Sequence, residues 1–295
     1  MKQTTIAKKI DGIGIGLHKG EPIRFSIEPS DPNSGIIFYK TDTKTYIRAC
    51  VDSVIDTRMA TVIGVDKNNY ISTIEHLLSA VYAYGIDNLL IKIDAHETPI
   101  MDGSSASFCM MFNEAKLQFQ NADKKVMVIQ KEVEVKEGDK YVKISPNPDT
   151  QFTFSIDFKH PAIGFEKFHH LFSKQNYINQ ISRARTFGFL KDFQMLRNQN
   201  LALGASLDNA VVIDEKKVIN SDGLRFSNEF VRHKILDAIG DLSLLGITYL
   251  GHYQSHAGSH DLNHKLTKKI LSDKENYIIT ELQNVKDMTF KKAFA

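Results

Sequence analysis

Between residues 233 and 245, apolar side chains fill most positions: Ile235, Leu236, Ala238, Ile239, Leu242, Leu244 and Leu245. Three ionisable residues interrupt them at every fourth place, His233, Asp237 and Asp241. At 3.6 residues per turn, a helix sets these three on one stripe, a turn apart. Carboxylates on a helix that buries most of its surface require an ion pair, hydrogen bonds or a metal. Two readings stay open here: a ligand or catalytic stripe, and a solvated i,i+4 His–Asp pair.

A second helical pattern comes earlier. Ile74, Leu77, Leu78 and Val81 recur at helical spacing and predict an amphipathic helix over 72–82, with Ser72 or Thr73 as N-cap and Gly85 just past its end. Glu75 and His76 fall in its first turn. Adjacent helical residues point about 100° apart, so one can ligate a metal while the other reaches the same cavity. Solvent-facing first-turn residues are the alternative, with the Glu favoured there by the helix dipole.

Period-two alternation predicts strands over 4–10, 23–27, 35–40, 45–51 and 89–94. Pro99–Phe108 enters a further helix ending near Phe119, and the polar run 120–125 reads as a linker between two units. Beyond it, 126–135 and 140–144 alternate as a hairpin around Glu137-Gly138-Asp139, and 152–158 is a strand. Ser182–Leu190 is strand-like, with Arg183, Arg185, Thr186, Phe187 and Phe189 around Gly188; a site wall and an ordinary strand are both compatible with it. A helix over 193–198, a glycine turn into a strand over 204–213 and a turn over 219–226 complete the approach to residue 233.

Two patterns mislead on spacing alone. Gly12, Gly14, Gly16 and Gly20 suggest a dinucleotide loop, yet no helical segment follows and Glu21-Pro22 leads into the next strand. A glycine-rich hairpin is the better reading, with His18 in its turn as a structural residue or a substrate contact. His252, His256, His260 and His264 are also spaced by four, but Gly251 and Gly258 argue against one continuous helix. A strand over 249–256, a turn over 257–260 and a helix over 261–271 fit better, leaving only His260 and His264 to share a surface. Each half then has several strands and two main helices, an α+β chain without a sequence repeat.

Composition narrows the classes. Apolar content of 42% and charged content of 24% are those of a soluble globular protein. The formal net charge of +2 predicts no strong attraction to nucleic acid or an anionic membrane. Cys50 and Cys109 form neither a disulfide framework nor a CxxC zinc site. No apolar leader opens the chain, and no run reaches the ~18 apolar residues of a bilayer span. A cytoplasmic protein is expected, with peripheral membrane contact left open.

A catalytic zinc takes three His or carboxylate ligands and keeps one position open. His76, His233 and Asp237 supply such a set from two helices. Glu75 is then placed to take a proton from water, and Asp241 to orient a histidine such as His260.

The ordered motifs Gly14-Ile15-Gly16-Leu17-His18, Ser72-Thr73-Ile74-Glu75-His76-Leu77, Gly85-Ile86-Asp87-Asn88, Pro99-Ile100-Met101-Asp102-Gly103-Ser104, Arg183-Ala184-Arg185-Thr186-Phe187-Gly188-Phe189, Ser206-Leu207-Asp208-Asn209-Ala210, Gly223-Leu224-Arg225-Phe226 and Phe230-Val231-Arg232-His233-Lys234-Ile235-Leu236-Asp237, followed by His260, resemble the UDP-3-O-acyl-N-acetylglucosamine deacetylases, zinc amidases of lipid A biosynthesis, over about residues 3–270. The resemblance implies two similar α+β domains, each a sheet packed with two main helices, layered face to face with the site between them. Their bounds would be 1–122 and 126–271, with 272–295 a tail of unassigned role. It implies one Zn2+ per chain on His76, His233 and Asp237, with Fe2+ suited to the same donors. It implies Glu75 as general base, His260 as general acid with Asp241 as partner, and Thr186 at the oxyanion. Phe187 and Phe189 fall where the family builds an acyl passage, and Lys234 and His18 where it meets polar substrate groups. A monomer acting on a small-molecule substrate is expected. Two departures stand out. Lys19 replaces the usual Ser or Thr after the hairpin histidine. Ala257 replaces a lysine that commonly assists the diphosphate. The alternatives are a deacylase for another N-acyl amino sugar and a non-catalytic sugar-nucleotide binding homologue. The last would show a degraded catalytic set, whereas every member is present here.

Overall fold

A computed structural model describes residues 1–281. Among the described residues, six helices punctuate the strands: α1 (Glu75–Ala83), α2 (Ala106–Ala115), α3 (Lys174–Gln180), α4 (Leu190–Asn198), α5 (Glu229–Leu242) and α6 (His260–Leu271). The class is α+β with mixed sheets, as the pattern of strands and helices predicts.

The first half builds a five-stranded sheet in the order Ile10–Ile15, Pro22–Pro29, Leu89–Ile93, Ile36–Lys40, Thr45–Arg48. The glycine-rich segment is a hairpin arm: Ile10–Ile15 pairs antiparallel with Pro22–Pro29, so no dinucleotide loop exists there. A small three-stranded sheet, Val54–Asp56, Val62–Gly64 and Tyr70–Ile71, carries the chain towards α1. The second half builds a seven-stranded sheet around Thr248–His256. That strand runs antiparallel to Lys140–Ser145 and parallel to both Lys125–Ile129 and Thr150–Phe158.

Three expectations change, and one stretch holds elements for which the pattern makes no prediction. The helix after Pro99 stops at Ala115, because Leu117–Asp123 pairs as a strand with Lys2–Ile6. Residues 120–125 are therefore not a flexible linker: Lys124 is buried, with its ammonium on Asp87 and the Gly85 carbonyl. Residues 159–181, polar on average, hold the strand Gly164–Leu171 and helix α3, whose N-cap Ser173 accepts from the Asn176 amide. Beyond Leu271, Tyr277–Glu281 adds an antiparallel edge strand to the seven-stranded sheet; positions 282–295 lie outside the described residues.

Helices α1 and α5 pack against each other at the centre. All nine residues of α1 are buried, and so are twelve of the fourteen in α5. A helix with no wet face needs neighbours on every side. The amphipathic reading of α1 fails for that reason, since both halves cover it. Gly240 makes the closest approach possible: a Cβ there would lie 2.7 Å from the Glu75 carbonyl carbon and 2.9 Å from its Cα. Only a residue without a side chain lets α5 touch the α1 backbone at that point.

Candidate metal and catalytic site

Burial rules out the solvated readings of both helices. Glu75, His76, His233, Asp237 and Asp241 are each at most 4% exposed. Ser72 and Thr73 do not cap α1; the Thr73 hydroxyl donates to Glu97 instead, and Ile74 occupies the cap position without a side-chain bond. Gly85 follows α1 at φ 64°, the left-handed stop that the sequence suggests.

His76 and His233 come from the two helices to face one carboxylate oxygen. His76 Nε2 lies 3.5 Å and His233 Nε2 3.3 Å from Asp237 Oδ1. One ligand atom from each of the three residues lies within 4.8 Å of the others, making a candidate metal site. Bonds of about 2.0–2.1 Å in a tetrahedron set donor atoms about 3.3 Å apart, so the spacing fits an ion of that kind. Protonation supports the fit. His233 Nδ1 is held 3.0 Å from the Ala184 carbonyl, so it is the nitrogen that carries the hydrogen. Burial, outweighing the pull of Asp237, lowers His233 to about 3, so its ring is neutral. Its Nε2 then turns a lone pair towards a carboxylate lone pair, an arrangement that a cation between them resolves.

The other Asp237 oxygen accepts from Lys234 Nζ at 2.8 Å. Burial would raise the Asp237 pKa, but with His233 neutral the Lys234 ammonium and the His76 hydrogen bond still hold the carboxylate ionised. Lys234, expected as a substrate contact, is thus engaged with a ligand carboxylate, its ammonium 5.8 Å from the Phe187 ring centre.

On the far side of Glu75 stands a second group. His260 Nε2 is 3.9 Å from Glu75 Oε1, and His260 Nδ1 donates to Asp241 Oδ2 at 2.8 Å. Burial lowers the His260 pKa, and the charges of Asp241 and Glu75 more than reverse this, to about 9. Burial raises the Glu75 carboxyl, only partly offset by His260 and His76. A buried acceptor of protons and a protonated imidazole therefore flank one gap. His260 opens α6, capped by Ser259, while His252 and His256 lie on the preceding strand, so the four-histidine stripe does not form.

Thr186 has its backbone pinned to the Gly103 carbonyl and the Val211 amide, two residues after the Ala184 carbonyl that holds His233. Phe187 and Phe189 lie on a short strand paired with Val211–Ile213. Ring centres step outwards from His233: Phe187 at 6.3 Å, Phe158 at 6.0 Å from Phe187, Phe189 at 5.9 Å from Phe158, then His160 at 5.3 Å. The track ends in a cavity of about 650 Å³ lined by His160, Phe189, Leu190 and Ile213.

His18 is buried with both ring nitrogens unpartnered among the described residues, while Glu97 holds its backbone amide. It lines a second cavity of about 400 Å³ with Ala60, Tyr70 and His96. Thr61, next to Ala60, donates its amide to Glu75 Oε2 at 3.2 Å, which sets this cavity beside the site. No residue type or spacing near Thr61 marks it in the sequence.

Comparison with known families completes the picture. Residues 3–272 match the family described as UDP-3-O-acyl N-acetylglycosamine deacetylase. The chain belongs to this deacetylase family. Relatives named UDP-3-O-acyl-N-acetylglucosamine deacetylase come from Campylobacter fetus subsp. fetus at 57% identity, Campylobacter hominis at 58% and Campylobacter jejuni subsp. jejuni at 54%. Each comparison covers all 295 residues and the whole of both chains. The motifs by which the chain resembles the deacetylase family contain Glu75, His76, His233, Asp237 and His260, which meet at α1, α5 and α6. Among the described residues, no helix is long and apolar enough to cross a membrane.

Proposed function

We propose that this chain is a hydrolase that removes the N-acetyl group of UDP-3-O-acyl-N-acetylglucosamine, giving acetate and UDP-3-O-acyl-glucosamine, the committed step of lipid A biosynthesis. One observation carries the reading: three buried donors converge beside a buried carboxylate, with a protonated imidazole across the gap. Full-length relatives with that name support the substrate.

His76 Nε2, His233 Nε2 and Asp237 Oδ1 would hold one divalent ion, which we assign as Zn2+; Fe2+ suits the same donors. Bound there, the cation supplies Lewis acidity towards the amide carbonyl and lowers the pKa of water. Glu75, in this reading, accepts the proton of the attacking water. Burial makes it a stronger base than an exposed glutamate. His260, kept protonated by Asp241, delivers a proton to the leaving amine. The Thr186 hydroxyl donates to the oxygen that gains charge as the carbonyl becomes tetrahedral. The aromatic track from Phe187 to the Phe189 cavity takes the acyl chain, and the His18 cavity takes polar parts of the substrate. Lys234 spends one of its three donors on Asp237, which supports the ligand carboxylate and leaves two donors for the substrate.

The same reading takes the chain as two domains meeting at α1 and α5, active as a monomer in the cytoplasm. Acetate release from the acyl-UDP-sugar, with and without a chelator, tests the function. Chelator-sensitive release supports it, and a chain that binds this sugar without releasing acetate contradicts it.

A further inference from the structure

A loop of the first half reaches the acid group of the second. Residues 57–61 join Val54–Asp56 to Val62–Gly64, and Thr61 is buried at their end. The Thr61 hydroxyl donates to Asp241 Oδ1 at 2.5 Å. Its own amide donates to Glu75 Oε2. One residue thus holds the carboxylate behind His260 and the carboxylate opposite His260. At the other end of the loop, Thr57 donates to Asp261 in the first turn of α6, 3.3 Å away.

Each oxygen of Asp241 has its partners. Oδ1 takes the Thr61 hydroxyl; Oδ2 takes His260 Nδ1 and Asn263 Nδ2, both at 2.8 Å. The Tyr253 hydroxyl fixes the Asn263 amide by donating to its Oδ1 at 2.7 Å. Three donors fix the plane of a buried carboxylate, and the plane of Asp241 sets the direction in which His260 points. The bond to Thr61 is the one that crosses from the first half, where Glu75 stands. Without it, Oδ1 is a buried acceptor lacking a partner, and the carboxylate turns to find one.

We propose that Thr61 is a positioning residue that locks the Asp241–His260 pair in register with Glu75. The inference rests on the role given to His260 above. It requires the hydroxyl to serve proton delivery and not metal or substrate binding.

The test uses the full-length, metal-loaded chain. Thr61→Val is expected to lower kcat on the order of 10–100-fold, as removal of an outer partner of a site does. KM and metal content should stay near the parent values, while Tm falls by up to about 10 °C, as the loss of one buried partner predicts. Thr61→Ser, which keeps the donor, should recover kcat to within a few-fold. In an Asp241→Ala background, Thr61→Val should change kcat no further. If Thr61→Val does not fold, Thr61→Ala takes its place with the same expectations. Parent-like kcat in the hydroxyl-less variant overturns the inference, as does a serine variant no better than valine, or multiplied effects in the double variant. His260→Ala separates the two levels. If it is disabled while Thr61→Val is fully active, only the positioning role falls; if it keeps the parent rate, the reading of the site falls with it.

Discussion

Replacing Gly240 by alanine asks whether the contact between α1 and α5 sets the geometry of the site. On an ordinary buried helix the change would add about 1 kcal/mol of stability, because glycine is the poorer helix former. Here the added Cβ would sit 2.7 Å from the Glu75 carbonyl carbon. Ordinary carbon contacts lie at about 3.5–4.0 Å, so the helices must part by about 1 Å. Overpacking of that size costs about 1–3 kcal/mol. For a chain of this length each kcal/mol lowers Tm by about 2–4 °C. The same displacement carries Glu75 and His76 away from Asp237 and Asp241, and a 1 Å misplacement at a reacting centre can lose about 10²-fold in rate. The expected variant therefore melts below the parent, turns over on the order of 10²-fold more slowly well below its own Tm, and binds metal more weakly. Calorimetry, acetate release and metal analysis read the three effects. A Gly240→Ala chain that melts higher and keeps the parent kcat would refute the steric argument.

Four further outcomes follow from the same geometry. Glu75→Ala and His260→Ala should each lower kcat by about 10²-fold or more, read by acetate release. Because His260 must be protonated and stands at about 9, kcat should hold through neutral pH and fall above about 9; Asp241→Asn removes the charge that raises it and should move that limb to lower pH. Lys234→Ala frees the outer oxygen of Asp237 and should weaken metal affinity by about 10–100-fold, measured by competition with a chelator. His170, fully buried and lowered from 6.5 to about 4 by burial, favours the folded state above pH 6.5 and loses that contribution as pH falls towards 4; the difference is worth about 3 kcal/mol. Denaturant melts of His170→Gln between those pH values should show a weaker dependence than the parent.

The chemistry-bearing helices were readable because their residues obey local rules. The four-residue spacing of His233, Asp237 and Asp241, and the apolar positions around Glu75 and His76, survive without tertiary knowledge. The break before His260 was legible too, since Gly251 and Gly258 disfavour one helix through all four histidines. The α1 cap was misread because Ser72 and Thr73 look like capping residues, while Glu97, distant in sequence, takes the Thr73 hydroxyl. The strand Leu117–Asp123 was hidden by its polar composition and by its partner, Lys2–Ile6, more than a hundred residues away. The Thr61 hydroxyl matters through Asp241 and Gly240 through Glu75, each in the other half, and no periodicity can report that. Lys234 also carries a bond that its residue type does not announce, to an i,i+3 carboxylate on its own helix.

Metal occupancy tested together with turnover addresses the central claim most directly. The parent chain and its His76→Ala variant would be stripped with a chelator, titrated with Zn2+, and assayed for acetate release at each step. The parent should bind one ion per chain and regain activity in proportion, while the variant binds weakly and stays inactive. A stripped parent that hydrolyses the substrate at its full rate would contradict the account.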